Sequence, residues 1–107
     1  MKIIQNIEAY TDFLGNEKLA VGYYYTPTCG ICKVLKPRVQ LLVEKLGIPS
    51  FEINLVELPS VGAQQLIMGV PTFVVYAHGV EQWREGAYVQ FPEFEKRLAD
   101  LKAGQLV

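Results

Sequence analysis

Apolar positions along this chain follow two periods, one of strands and one of helices. Lys2–Gln5 opens as a short strand, and Ile7, Tyr10, Phe13 and Leu14 then share one helix face. Gly15-Asn16 is expected to end that helix. Ala20–Tyr25 (Ala-Val-Gly-Tyr-Tyr-Tyr) is short and largely apolar or aromatic, the pattern of a strand covered on both faces. From Gly30 to Leu46 the spacing turns helical, with Ile31, Leu35, Val39, Leu42 and Leu46 as one stripe. Lys33, Lys36, Gln40 and Glu44 lie on the other side. Pro37 inside this helix lacks an N–H and crowds the carbonyl of Lys33, so a kink is expected there. Gly47 and Pro49 stop the helix.

Phe51–Leu55 reads as a second buried strand, and Pro59–Leu66 as a short helix with proline in its first turn. Thr72–Ala77 has high β-propensity. His78-Gly79 makes a tight turn, Val80–Arg84 returns as the hairpin partner, and Gly86 ends it. Phe94, Leu98 and Leu101 mark a last helix over Pro92–Leu101. The order β-α-β-α-β-α-β-β-α predicts an α/β protein with a mixed central sheet, helices on both faces and an antiparallel edge. Tyr23, Tyr24 and Tyr25 read as packing residues on alternate faces of their strand, and Trp83 as a cover between hairpin and last helix.

The chain has 107 residues, half of them hydrophobic and a fifth charged, which suits one folded domain over residues 1–107 and excludes a disordered tail. Ten Lys and Arg stand against eleven Asp and Glu, a formal charge of −1. Nucleic acid and anionic membranes both call for a concentrated positive patch, so neither is an expected partner. No apolar run approaches the roughly 7–15 residues of a secretory signal or the roughly 20 of a membrane span. A cytoplasmic location is the expectation.

The candidate chemistry lies in the two cysteines. Cys29 follows a strand and a three-residue break and opens the long helix, at the N-cap or first turn. Amide groups there lack intrahelical partners and the helix dipole is positive. A Cys29 thiolate could accept from the N–H groups of Ile31 and Cys32, and Lys33 and Lys36 add positive potential. The Cys29 pKa is therefore expected below the free value of about 8.5, making it the attacking thiol. Cys32, three residues on, lies within reach but further inside, placed to resolve a mixed disulfide. Two other uses stay open on these residues alone. A structural disulfide is one, although so short a loop removes little unfolded-state entropy. A metal site is the other, although Cys29, Cys32 and His78 make only three ligands unless a dimer combines two cysteine pairs.

Thr28-Cys29-Gly30-Ile31-Cys32-Lys33 resembles the Trp-Cys-Gly-Pro-Cys-Lys of the thioredoxin family. Pro37 falls where that family's active-site helix also carries proline, and Met68-Gly69-Val70-Pro71-Thr72 is similar to its Gly-Ile-Pro-Thr segment, whose proline is cis. Gly79 and Gly86 match glycines in and after its terminal hairpin. The resemblance runs end to end and implies a thioredoxin fold and a thiol–disulfide oxidoreductase. It implies Cys29 as nucleophile and Cys32 as resolving thiol, with no bound cofactor and no metal. Gly30, Ile31, Lys33, Val70, Pro71 and Gly86 would form the substrate groove, the Val70 backbone bonding to an extended segment. The implied partners are protein disulfides, with a reductase or a low-molecular-weight thiol as electron donor, and the protein is expected to be a monomer. The alternative is a thioredoxin-fold binding module whose redox activity is slow or vestigial.

Five departures from the family pattern stand out. Tyr23 occupies the position of a buried Asp that helps move the resolving thiol's proton, and a phenol of pKa near 10 is a poor base. Glu52 stands where the family has the Lys beside that Asp, which makes Glu52 the candidate proton relay for Cys32. Thr28 replaces an apolar Trp beside the thiol, and Glu85 adds charge before Gly86, so partner choice should differ from a general thioredoxin's. Ile31 in place of Pro restores an N–H to the first turn, and a less strongly reducing couple is expected.

Overall fold

The computed structural model describes residues 1–105. Its elements are β1 (Lys2–Ile3), α1 (Ile7–Asn16), β2 (Leu19–Tyr25), α2 (Gly30–Leu46), β3 (Ser50–Asn54), α3 (Pro59–Gln64), β4 (Thr72–Ala77), β5 (Val80–Glu85) and α4 (Phe91–Gln105). This is the expected order. The sheet runs β1-β3-β2-β4-β5. Strands β1, β3 and β2 are parallel, while β4 is antiparallel to β2 and β5 to β4.

The central strand β2 explains the two layers of core. Val21 and Tyr23 point to the side covered by α2 and α4, joining Leu35, Val39, Phe73, Phe94 and Leu98. Ala20 and Tyr24 point to the side of α1 and α3, joining Tyr10, Phe51, Val61 and Tyr76. With both faces covered, β2 has no room for the polar alternation of a half-exposed strand. Gly22 is required by close approach, since a Cβ there would overlap the ring of Phe51. Trp83 meets Phe94 edge-on at 6.4 Å between hairpin and α4, as expected, and the Arg97 guanidinium lies over the Trp83 ring at 4.0 Å.

Several boundaries differ from the sequence expectation. Gly15 and Asn16 do not end α1 but form its last turn, and the Glu17 N–H closes it on the Phe13 carbonyl. At the other end the Asn6 side chain accepts from the Ala9 N–H at 2.8 Å, a cap that fixes the start. In α2 the buried residues are Cys32, Leu35, Val39, Leu42 and Val43. Ile31, expected in the stripe, is 45% exposed. Steps of four residues overshoot a 3.6-residue turn by about 40° each, so a run of fours winds off the core face and three-residue steps must bring it back. The helix continues through Pro37 and ends at Gly47, in the left-handed region with φ 66°. Helix α3 ends at Gln64, before the expected Leu66. Helix α4 runs beyond Leu101, and Lys102 reaches the Leu46 carbonyl at the end of α2.

Candidate active site

The parallel strand β2 delivers the chain to one end of the sheet, and α2 starts there. Cys29 caps that helix: its backbone is extended (φ −78°, ψ 104°) and its Sγ accepts the Cys32 N–H at 3.2 Å. Of the two expected amides, Cys32 therefore makes the bond. Cys29 and Cys32 are joined as a disulfide with Cα atoms 5.3 Å apart. Cys29 is partly exposed, whereas Cys32 is 1% exposed, in the core layer under α2. Gly30, Ile31 and Lys33 surround the pair at the surface. Nothing lies within 4 Å of a Cβ built at Gly30, so no steric contact demands glycine there.

The sheet register brings the second motif to the same end. Tyr24 of β2 pairs with Thr72 of β4, so the loop before β4 lies beside the loop after β2. The Val70-Pro71 bond is cis, as the resemblance implied, and Val70 packs on the core cluster that contains Cys32. Phe73 pairs with Glu85, which sets Gly86 alongside, a Cβ at Gly86 being 4.0 Å from the Pro71 carbonyl oxygen. His78 instead sits in the β4–β5 turn (φ 51°), at the opposite end of β4 from Pro71, so the three-ligand metal set is not assembled.

Beneath the disulfide lies a cavity of about 160 Å³ whose lining includes Cys29, Cys32, Tyr23, Lys36 and Glu52. Tyr23 and Glu52 are register partners on adjacent strands, so both side chains face α2. Glu52 is 5% exposed and is not a solvated strand residue. Lys36 Nζ approaches its Oε2 to 2.6 Å. That approach is off the axis of a hydrogen bond, so Oε2 has an ion-pair partner but no aligned donor. Lys36 is thus committed to Glu52 rather than to the Cys29 sulfur, and among the described residues Lys33 is the lysine near the thiols that makes no ion pair. Burial, then the neighbouring Glu52 and Tyr25, push the Tyr23 hydroxyl far above its ordinary value of 10.0, which keeps it protonated and unable to act as a base.

The Thioredoxin family model matches residues 2–100. The chain belongs to the thioredoxin family. It is similar to the thioredoxin-like protein YdfQ of Bacillus subtilis (strain 168), 22% identical over 96 residues that cover 89% of this chain and 86% of that protein. Thioredoxin H2 of Arabidopsis thaliana is 28% identical over 96 residues, covering 88% of this chain and 71% of its own. The solution structure of oxidised thioredoxin from Plasmodium falciparum superposes with a TM-score of 0.83 at 18% identity, covering 92% and 98% of the two chains. Family membership and the bonded cysteine pair make this a thiol–disulfide oxidoreductase. No helix among the described residues is long and apolar enough to cross a membrane.

Sequence reasoning missed the contacts that hold the loop before Pro71. Arg84 Nη2 and Nη1 donate to the Gln65 and Leu66 carbonyls, each at 2.9 Å. No local pattern announces bonds between residues so far apart in sequence; the available hint was an arginine opposite Val74 on the hairpin.

Proposed function

We propose that this thioredoxin-family protein reduces disulfides in other proteins, with Cys29 as nucleophile and Cys32 as resolving thiol. The Cys29 thiolate attacks one sulfur of the substrate disulfide, forming a mixed disulfide and releasing the other substrate sulfur as a thiolate. Cys32, deprotonated, then attacks Cys29 Sγ and expels the second substrate sulfur. Two electrons pass to the substrate and the Cys29–Cys32 disulfide remains. A separate reductase or a low-molecular-weight thiol returns it to the dithiol, and the cycle uses no bound cofactor. The observation that carries this reading is the Cys29 sulfur capping α2 while Cys32 lies sealed beneath it. Backbone amides and the helix dipole favour the thiolate at the cap.

Glu52 is the proton relay of this reading. It is the buried carboxylate of the cavity that Cys32 also lines, and Tyr23 cannot serve. Val70, Pro71 and Gly86 form the edge on which an extended substrate segment lies, with Gly30, Ile31 and Lys33 across from it. Pro71 has no N–H to compete for the sulfurs. The chain acts as one domain over residues 1–107, as a monomer in the cytoplasm.

The test is covalent capture. Cys32→Ser should accumulate mixed disulfides with client proteins through Cys29, and the Cys29→Ser, Cys32→Ser double variant should accumulate none. Alkylation of Cys29 should show a midpoint below about pH 8.5. A normal thiol midpoint together with no captured client would leave the binding-module reading in its place.

A further inference from the structure

The segment between α3 and β4 carries the Val70-Pro71 edge, and side chains from elsewhere in the fold fasten it. Leu66 lies in the left-handed region at φ 54°, a conformation disfavoured for a residue with a side chain. Its side chain is 68% exposed, so burial does not hold this bend. Two backbone bonds close it as a helix end, from the Leu66 N–H to the Ala63 carbonyl at 3.3 Å and from the Ile67 N–H to the Gly62 carbonyl at 2.9 Å, and the Arg84 guanidinium fastens it to the hairpin by bonding the Gln65 and Leu66 carbonyls. Its remaining reach goes to Glu81, with Nε to Oε2 at 2.9 Å and Nη2 to Oε1 at 2.7 Å, so the fork is itself aimed by a carboxylate. Arg84 stands opposite Val74 on β4, whose side chain faces α1 and α3, which explains why it emerges beside the end of α3.

Two further bonds complete the fastening. Tyr76 Oη donates to Gln65 Oε1 at 3.2 Å, and Thr72 Oγ1 donates to the Gly69 carbonyl at 2.7 Å. Val70 takes part in no backbone hydrogen bond among the described residues outside the helices and strands. Its N–H and C=O remain available to a partner.

We propose that Arg84, aimed by Glu81, is a positioning residue for protein substrates: it fixes the Gln65–Leu66 bend so that the Val70-Pro71 edge stands preformed facing Cys29. A substrate segment then docks without having to order the loop, a term that otherwise weakens binding. A small aromatic disulfide has no backbone to lay on this edge and does not depend on it. The inference rests on the reading of Val70-Pro71 as the substrate edge.

The experiment compares insulin disulfides with dithiobis(nitrobenzoate) as substrates for Arg84→Gln, checked as folded by circular dichroism. KM for insulin should rise roughly 3–10-fold, while the rate with the small disulfide stays within about twofold. Arg84→Lys, which keeps the charge but cannot span two carbonyls, should fall between the two and replaces Arg84→Gln if that variant is unfolded. Equal losses on both substrates, or an unchanged KM for insulin, would overturn the proposal. Pro71→Ala separates the two layers of the argument. If it leaves KM for insulin unchanged, the substrate edge itself is misassigned. If it raises KM and the Arg84 variants do not, the clamp alone is wrong.

Discussion

Lys36 on α2 and Glu52 on β3 meet at 2.6 Å beside the cavity under the disulfide, and their exposures are unequal. The Lys36 side chain is 36% exposed and that of Glu52 only 7%. Removing the lysine strands a buried carboxylate, whereas neutralising the carboxylate leaves an ammonium that water can reach. Lys36→Met is therefore expected to lower stability by about 1–3 kcal/mol, and Glu52→Gln by less than about 1 kcal/mol. Urea denaturation of both variants checks the order, and the reverse order would contradict it.

The same carboxylate predicts a kinetic signature. Glu52→Gln should slow the resolution of a preformed mixed disulfide and change its dependence on pH, while alkylation of Cys29 keeps the wild-type profile. Rapid-quench measurement of the mixed disulfide separates the two steps. Identical resolution profiles in both proteins would remove Glu52 from the mechanism.

Tyr24 links Tyr76 and Tyr10 through hydroxyl contacts of 2.6 and 3.0 Å in the opposite core layer. Burial pushes the Tyr24 and Tyr76 hydroxyls well above their ordinary value of 10.0. The folded state therefore keeps protons that the unfolded chain loses, and stability must fall as pH rises beyond about 10. Tyr24→Phe should cost about 1–3 kcal/mol at neutral pH, since two hydroxyls lose their central partner. It should also weaken the alkaline decline. Thermal melts between pH 7 and pH 11 provide the comparison.

Gly22→Ala places a methyl group against the Phe51 ring in the middle of the sheet. Overpacking of this kind is expected to cost about 1–3 kcal/mol. The site lies beyond the end of β2, so Cys29 should keep its alkylation rate in the variant that remains folded. An unchanged melting temperature would show that the ring has room to move.

The elements were readable because their signals are local: Gly47 closing α2, Pro59 opening α3 and the His78-Gly79 turn all sit where the chain needs them. The cysteines were readable for the same reason, since strand, break and helix surround them in sequence. Ile31 was misplaced because two successive steps of four residues, from Ile31 to Leu35 and on to Val39, wind it off the buried face of α2. Lys36 was credited to the Cys29 sulfur because its partner Glu52 lies on another strand. The fastening of Leu66 by Arg84 was invisible, as it joins a strained bend to a hairpin residue through carbonyls that every residue possesses.

The difference in cover between the two sulfurs also governs how the reduced protein meets peroxide. An oxidant arriving from solvent finds Cys29 first, and the sulfenic acid it leaves there lies within reach of Cys32. Attack by the inner thiol expels water and returns the ordinary disulfide, which a reductant can reopen. The inner sulfur, 1% exposed, is shielded from the same reagent. Burial thus makes the first stage of oxidative damage a detour back into the working cycle.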